Sequence, residues 1–263
     1  MFGLVNDIGG VVLSNVLQIA VGSVLAVIIY KFSVGKCHIF KVRTSYSILV
    51  IVASSLLGLL LPLDTYGVIP VALMFLAVGV RYENVLPLMF SNAMFNMMVS
   101  FVDQSFSWKT GIGRIILAFI AGIVSGVVFK IFKSKNENII KIKTSSLNGG
   151  SPNILLEIVR FFCENINALG LYLVAGAIIN VVFHKYLLES VINIVFMNPS
   201  FSNSLSFLLI FDIANPFIQY TFNLFVNFTT LSAFAGFLRL KAIFALVVTY
   251  SVLALLFSVL AFI

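Results

Sequence analysis

Long apolar segments without a single charged residue are the feature that most constrains this chain. Residues 115–129 and 242–263 are two of them, and neither shows the alternation of apolar and polar residues that marks the strands of outer-membrane barrels. A helix that crosses a bilayer needs about 20 mainly apolar residues. The pattern therefore predicts transmembrane helices, roughly 8–10 of them once the polar loops are set aside.

The composition excludes the two other broad classes. Hydrophobic residues make up 61% of the 263 positions and charged residues only 10%, whereas soluble domains are about 45–50% apolar and about 25% charged. Disordered chains combine low hydrophobicity with high charge, which is the opposite pattern. We therefore expect an all-α, polytopic integral membrane protein with the lipid bilayer as its surroundings.

The basic residues cluster in two loops. One cluster contains Lys31, Lys36, Lys41 and Arg43, and the other contains Lys130, Lys133, Lys135, Lys141 and Lys143. The excess of Lys and Arg in cytoplasmic loops predicts that both loops lie inside the cell. The chain lacks the aromatic interleaving and the folded basic face of a nucleic-acid-binding protein, so we expect no nucleic-acid partner.

A helix-breaking cluster interrupts the second apolar segment. As one helix, residues 46–80 would be about 52 Å long, which exceeds the hydrocarbon thickness of about 30 Å. Pro62-Leu63-Asp64-Thr65-Tyr66-Gly67 lies in the middle of this segment. We therefore expect the chain to break or reverse there, with apolar helices on either side.

The two halves of the chain share a pattern. Gly22 precedes Lys31 by nine residues at the end of the first apolar segment, and Gly176 precedes Lys185 by the same spacing. The motif Gly-x-x-Arg opens the last apolar segment of each half, at Gly111–Arg114 and at Gly236–Arg239. The alternative is chance similarity between apolar helices of similar composition.

The division that follows from this pattern has three parts. Residues 1–133 form the first transmembrane repeat, 134–153 a basic cytoplasmic linker, and 154–263 a second, shortened repeat. An odd number of crossings in the first repeat makes the second one inverted, as in many secondary transporters. At its start, residues 154–163 are expected to form a short interfacial helix with Glu157 and Arg160 on the wet side.

Two aspartates lie inside apolar segments beside helix breakers. Asp64 is flanked by Pro62 and Gly67, and Asp212 is followed by Pro216. A carboxylate within a membrane span costs about 2.5–3.5 kcal/mol on insertion scales, and broken helices supply groups that coordinate ions and substrates. We expect a cation or proton site. Two alternatives stay open, namely that each Asp caps the helix after the break or pairs with an intramembrane Arg.

Polar residues at helical spacing follow each break. Asn92, Asn96 and Ser100 recur every four residues, and so do Gln219, Asn223 and Asn227. Residues spaced in this way share one helix face, so the two stripes could line one aqueous path. Hydrogen bonding between neighbouring helices explains the same pattern equally well.

The sequence shows no motif of a nucleotide-driven or catalytic protein. The P-loop, the Gly-rich dinucleotide fingerprint, HExxH and the nucleophile elbow are all absent from the sequence. We therefore expect no catalytic residues, no cofactor and no dedicated metal site, and primary ATP-driven transport by this chain alone is disfavoured.

The segment around the break resembles a known signature. Leu56-Leu-Gly-Leu-Leu-Leu-Pro62-Leu-Asp64-Thr-Tyr66-Gly67-Val-Ile-Pro70-Val-Ala-Leu resembles the Pro-Phe-Cys-x-Cys-Gly-Val-Ile-Pro signature of bacterial predicted permeases, a family that includes organoarsenical efflux permeases. The segment Phe90-Ser91-Asn92 to Asn96 is similar to the family's Ser-Pro-x-x-Asn stretch. The family's two cysteines fall on Asp64 and Tyr66, and no second copy of the motif is recognisable around Asp212.

The resemblance implies a permease of the bacterial inner membrane with its substrate path near residues 62–70, but not a thiophilic substrate. The expected function is secondary transport, with efflux as one direction, of a small solute or ion between the repeats. The alternative is a non-transporting membrane subunit that assembles a larger complex, and a homo-oligomer or a partner subunit stays open. The path residues expected are Asp64, Thr65, Tyr66, Gly67, Pro70, Asn92, Asn96, Asp212, Asn215, Asn223 and Asn227.

Overall fold

The structure is a computed structural model, and it describes residues 2–34, 47–95, 108–131, 140, 142, 153–182, 228–245 and 248. Within these residues the chain is helical, apart from short connections and one isolated β-bridge between Ile140 and Leu238. The prediction of an all-α fold is therefore confirmed for this part of the chain. The helices are α1 (Phe2–Val34), α2 (Ser47–Leu60), α3 (Thr65–Ala77), α4 (Tyr82–Phe95), α5 (Trp108–Ile131), α6 (Ile154–Val182) and α7 (Phe228–Phe237).

Two of the described helices are long and apolar enough to cross a bilayer. They are Gly3–Phe32 in α1 and Ile154–Val182 in α6, with 30 and 29 residues. At 1.5 Å per residue each is about 45 Å long. The apolar segments of α2, α3 and α5 are shorter, at Ile48–Leu60, Thr65–Ala77 and Ala118–Lys130.

The helix α6 is continuous, contrary to the expectation of a short interfacial helix followed by a separate span. It extends without a break from Ile154 to Val182. The polar residues around Cys163 and Asn165 do not interrupt it, since Asn165 donates its side-chain amide to the carbonyl oxygen of Phe161 at 2.8 Å. Such a bond to the preceding turn lets a polar residue remain within a helix.

The helices α2, α4 and α5 pack closely through small residues. A side chain at Gly122 would meet Ser55 and Ser91, and one at Gly126 would meet Ile51. Where these residues meet, Ser91 donates to the carbonyl oxygen of Ser55 at 2.7 Å, and Ser55 donates to that of Phe119 at 2.9 Å. Small and hydroxylated residues of this kind bring apolar helices together in a membrane.

The direction of the chain reverses between α2 and α3. The contacts show that α2 and α4 run the same way, because Ser55 meets Ser91 and Leu61 meets Asn92. The turn at residues 78–81, with Gly79 at φ 91°, joins α3 to α4 as an antiparallel pair. Since α3 is antiparallel to α4, it is also antiparallel to α2.

The helix α3 is the most enclosed element of the described fold. Every residue from Thr65 to Met74 is buried, and α1, α4 and α7 pack around it. The approach of α1 is close, because a Cβ atom at Gly22 would overlap the carbonyl oxygen of Gly67. The helix that follows the break is therefore a central helix surrounded by both halves of the chain.

An ion pair joins the first helix of each half. The Nζ atom of Lys31, at the end of α1, lies 2.8 Å from Oε2 of Glu157 in the first turn of α6. Glu157 is only 5% exposed, so the prediction that it lies on a wet face is wrong. Its buried position follows from the packing of α1 against α6, whereas Arg160 is exposed as expected and pairs with Glu164.

Candidate functional site

The break predicted from the Pro-Asp-Gly cluster is present, but it is shorter than the cluster. The helix α2 ends at Leu60, residues 61–64 are not helical, and α3 begins at Thr65. Thr65, Tyr66 and Gly67 therefore form the first turn of α3, and Pro70 lies buried within the same helix. The helical first turn places Gly67 against α1 and Tyr66 against α7.

Asp64 occupies the N-cap position of α3 without capping the helix through its carboxylate. Its backbone is extended, with φ −74° and ψ 169°, and its side chain makes no capping hydrogen bond. The backbone N–H of Asp64 donates to Oε1 of Gln18 in α1 at 3.2 Å. The capping alternative for the carboxylate is thus not supported, and the side chain is only partly buried beside the break.

Asn92 holds the other side of the break. Its side-chain Nδ2 donates to the carbonyl oxygens of Gly58 at 3.2 Å and Leu61 at 3.1 Å. These carbonyls belong to the last turn of α2 and the residue after it, where a helix has no further amides to satisfy them. Asn92 is 2% exposed, so its amide stabilises the broken helix end from α4.

Tyr66 links the break to the second half of the chain. Its hydroxyl oxygen lies 2.9 Å from Oγ of Ser232 in α7, and Ser232 donates to the carbonyl oxygen of Thr229 at 2.8 Å. A hydroxyl has a single hydrogen to donate, so Tyr66 is the donor in the bond to Ser232. The expectation that Tyr66 could bind substrate stays a prediction, because in this structure its hydroxyl contacts protein.

Gly67 allows α1 and α3 to pack closely against each other. A Cβ atom at this position would lie 3.0 Å from the carbonyl oxygen of Gln18 and 3.1 Å from its Oε1. The absence of a side chain thus allows Gln18 to reach the N–H of Asp64. Gly67 was expected as part of the break, and the structure shows that it instead permits the approach of α1.

Five of the expected path residues lie outside the described residues. They are Asn96, Asp212, Asn215, Asn223 and Asn227. The structure therefore brings together Asp64, Thr65, Tyr66, Gly67 and Asn92 around one break, while the part of the expected path around Asp212 stays a prediction.

Three polar residues of the helices that pack around α3 were missed by the sequence analysis. Gln18 and Asn15 lie in α1, and Ser232 lies in α7. Asn15 and Gln18 carried a usable signal, because they are polar residues inside an apolar segment, one helical turn apart. Ser232 carried none, since serine is common in transmembrane helices and nothing near it in the sequence points to Tyr66.

Another buried carboxylate lies at the far end of α3. Glu83, in the first turn of α4, is 2% exposed and its Oε1 lies 3.4 Å from Nε of Arg81. Arg81 itself is exposed. A negative charge near the N-terminus of a helix is favoured by the helix dipole, so this pair stabilises the turn between α3 and α4.

Long apolar helices and a polar, hydrogen-bonded helix break are features that many membrane transport proteins share. The comparison with protein families agrees, because the model of the predicted permease family ArsP_1 matches residues 8–263. The chain belongs to this family, which confirms the resemblance seen around residues 56–79 and makes it a membrane transport protein rather than an enzyme. No curated protein and no solved structure was found to match the chain.

Proposed function

We propose that this permease is a secondary transporter of the bacterial inner membrane whose solute path passes the break at residues 61–64, between two inverted repeats. The observation that carries the proposal is the break itself, held by Gln18 on one side and by Asn92 on the other. Broken helices near the membrane midplane form the substrate sites of many secondary transporters.

The lengths of the helices support a break within the bilayer. The 14 residues of α2 and the 13 of α3 give helices of about 20 Å each. Neither crosses a hydrocarbon layer of about 30 Å alone. Since α2 and α3 run in opposite directions, we expect the segment that joins them to lie inside the bilayer.

Asp64 is the residue that we propose to exchange a proton or bind a cation. It lies within the break, its carboxylate does not cap α3, and it is the one acidic residue of the segment 61–64. A carboxylate at such a depth is costly unless a cation or a proton accompanies it. Solute movement would then be coupled to the proton or cation, because the charge of Asp64 differs between the occupied and the empty site.

Contacts between the halves of the chain surround the same segment. Besides Tyr66 and Ser232, the rings of Phe90 in α4 and Phe234 in α7 lie 5.2 Å apart. A movement of the second repeat against the first would therefore displace residues at the break. We propose this rocking as the step that alternates access, with export as its direction, as the resemblance to efflux permeases suggests.

Flux through purified protein in proteoliposomes tests the proposal. The protein is reconstituted with candidate solutes inside and a pH-sensitive dye outside, and Asp64→Asn is compared with Asp7→Asn, a change in the exposed first part of α1. We expect Asp64→Asn to abolish coupled solute and proton movement and Asp7→Asn to retain it. Full coupling in Asp64→Asn would remove the role of Asp64, and a stoichiometric partner needed for flux would favour the subunit alternative.

A further inference from the structure

The ion pair of Lys31 with Glu157 joins the two predicted repeats at one end of the fold. Lys31 lies in the last turn of α1 and Glu157 in the first turn of α6, with Nζ 2.8 Å from Oε2. Since α1 and α6 also pack against each other, the two helices are antiparallel. The pair is therefore a direct link between the first helix of each repeat, and it is closed in this structure.

The pair lies at a different depth from the break. Gln18 contacts Asp64 just before α3 begins. One turn later along α1, Gly22 contacts Gly67, so α1 and α3 run in the same direction. Nine residues separate Gly22 from Lys31, which places the pair about 14 Å beyond the first turn of α3 along the helix axis. The loop after α1 is predicted to face the cytoplasm, so the pair lies between the break and the cytoplasmic surface.

Other charged residues lie at the same end of the fold. Arg81 and Glu83 belong to the turn that follows α3 and to the start of α4. A Cβ atom at Gly126 of α5 would lie 3.2 Å from the carbonyl oxygen of Glu83, so Lys130, one turn farther along α5, lies near this turn as well. The end of the fold that carries the pair is thus rich in charged side chains, which can exchange a protein partner for water.

A buried ion pair is well suited to open and close. The attraction between its charges is largely offset by the cost of removing both of them from water, so its net contribution to stability is small. Each charge also remains stabilised after separation, because a carboxylate is favoured at the start of a helix and an ammonium group at the end of one. The Lys31 side chain is already 28% exposed, so water has to reach only Glu157 when the pair opens.

We infer that Lys31 and Glu157 form the cytoplasmic gate of the permease. The inference rests on the rocking movement of the proposed function and identifies the contact that this movement breaks. While the pair is closed, it holds the ends of α1 and α6 together and the break is shielded from the cytoplasm. When the second repeat rocks away, water separates the two charges and the break becomes accessible from that side.

The reactivity of a thiol at the break measures the state of the gate without knowledge of the natural solute. Full-length Thr65→Cys protein, in a background without the two native cysteines, is treated with a membrane-impermeant maleimide in inside-out and in right-side-out vesicles. The gate variant is Lys31→Gln with Glu157→Gln, which removes both charges and leaves neither of them buried alone. Arg160→Gln with Glu164→Gln is the matched control, because this pair lies on the exposed face of α6.

We expect the gate variant to raise the rate of labelling from the cytoplasmic side about tenfold, within the range of about 5–150-fold that is typical of coupling between two sites. The rate from the other side should not rise, because the gate closes one side only. The control variant and Lys31→Arg, which keeps the ion pair, should label at the rate of the parent protein.

The two sides of the membrane distinguish a gate from a pair that only stabilises the fold. Removal of a merely structural pair would loosen the protein, so that labelling would rise from both sides and the thiol of a buried Leu73→Cys variant would begin to react. Either result, or an unchanged cytoplasmic rate in the gate variant, would overturn the inference. A rise from the cytoplasmic side alone, together with full coupling in Asp64→Asn, would refute the proposed role of Asp64 and leave the gate in place.

Discussion

The hydroxyl of Tyr66 in α3 donates a hydrogen bond to Oγ of Ser232 in α7, with the two oxygens 2.9 Å apart. The residues are 166 positions apart in the chain, and each belongs to a different half. Tyr66 is the second residue after the helix break. Ser232 in turn donates a hydrogen bond to the carbonyl oxygen of Thr229. The second half of the chain is thus connected to the break by a short directional chain of bonds.

This direction predicts an asymmetry between two substitutions. Tyr66→Phe removes one weak bond, worth on average about 0.6 kcal/mol between helices in a membrane, and leaves Ser232 bonded to Thr229. Ser232→Ala leaves a buried phenol without an acceptor, which costs about 1–3 kcal/mol. We expect Ser232→Ala to lower the melting temperature more than Tyr66→Phe does. Equal effects would contradict the assigned direction of the bond, and a full cost of Ser232→Ala in the Tyr66→Phe background would show that the bond is not formed.

The contact of Gly22 with Gly67 predicts sensitivity to a single methyl group. Gly22→Ala would place a Cβ atom against the carbonyl oxygen of Gly67, and overpacking of this kind costs about 1–3 kcal/mol. Gly10→Ala is the matched control, because nothing lies within 4 Å of a Cβ atom there. Alanine is up to about 1 kcal/mol better than glycine inside a helix. We expect opposite shifts in melting temperature, and a stable Gly22→Ala protein would contradict the close approach of α1 and α3.

The ion pair of Lys31 with Glu157 predicts a cost that a second substitution relieves. Lys31→Met leaves a buried carboxylate in α6, and breaking a buried pair in this way costs about 3–5 kcal/mol, less here because the Lys31 side chain is 28% exposed. Lys31→Met with Glu157→Met should recover most of the loss. Arg160→Met, which breaks the exposed pair with Glu164, should change stability by about 1 kcal/mol or less. Similar effects of Lys31→Met and Arg160→Met would refute the burial of Glu157.

Features that depend on nearby residues were predictable from the sequence. Continuous apolar segments locate α1 and α2, and the Pro62 to Gly67 cluster marks the break, because helix breakers act on the chain next to them. The resemblance around residues 56–79 gave the family, which the match over residues 8–263 confirms.

Features that depend on distant partners were not predictable. Glu157 was expected on a wet face because a charged residue near a helix start is usually solvated, and only the packing of α1 against α6 brings Lys31 to it. Gly67 was read as a helix breaker, although its lack of a side chain allows the approach of Gln18. The hydrogen bonds of Asn92 favour a structural role for its Nδ2, and its role in the solute path stays a prediction.

Thiol labelling beside the break tests most directly whether the solute path passes it. The variant Thr65→Cys retains Asp64. It is made in a background in which the two cysteines of the chain are replaced, by Cys37→Ser and Cys163→Ser. The control is Leu73→Cys in the same background, at a buried position farther along α3. The cells or vesicles are treated with a membrane-impermeant maleimide from one side or the other, with and without solute. We expect the thiol of the Thr65→Cys variant to react from both sides, solute to slow this reaction, and the thiol of the Leu73→Cys variant not to react. A Thr65→Cys protein that transports solute but is unreactive from both sides would contradict a path through the break.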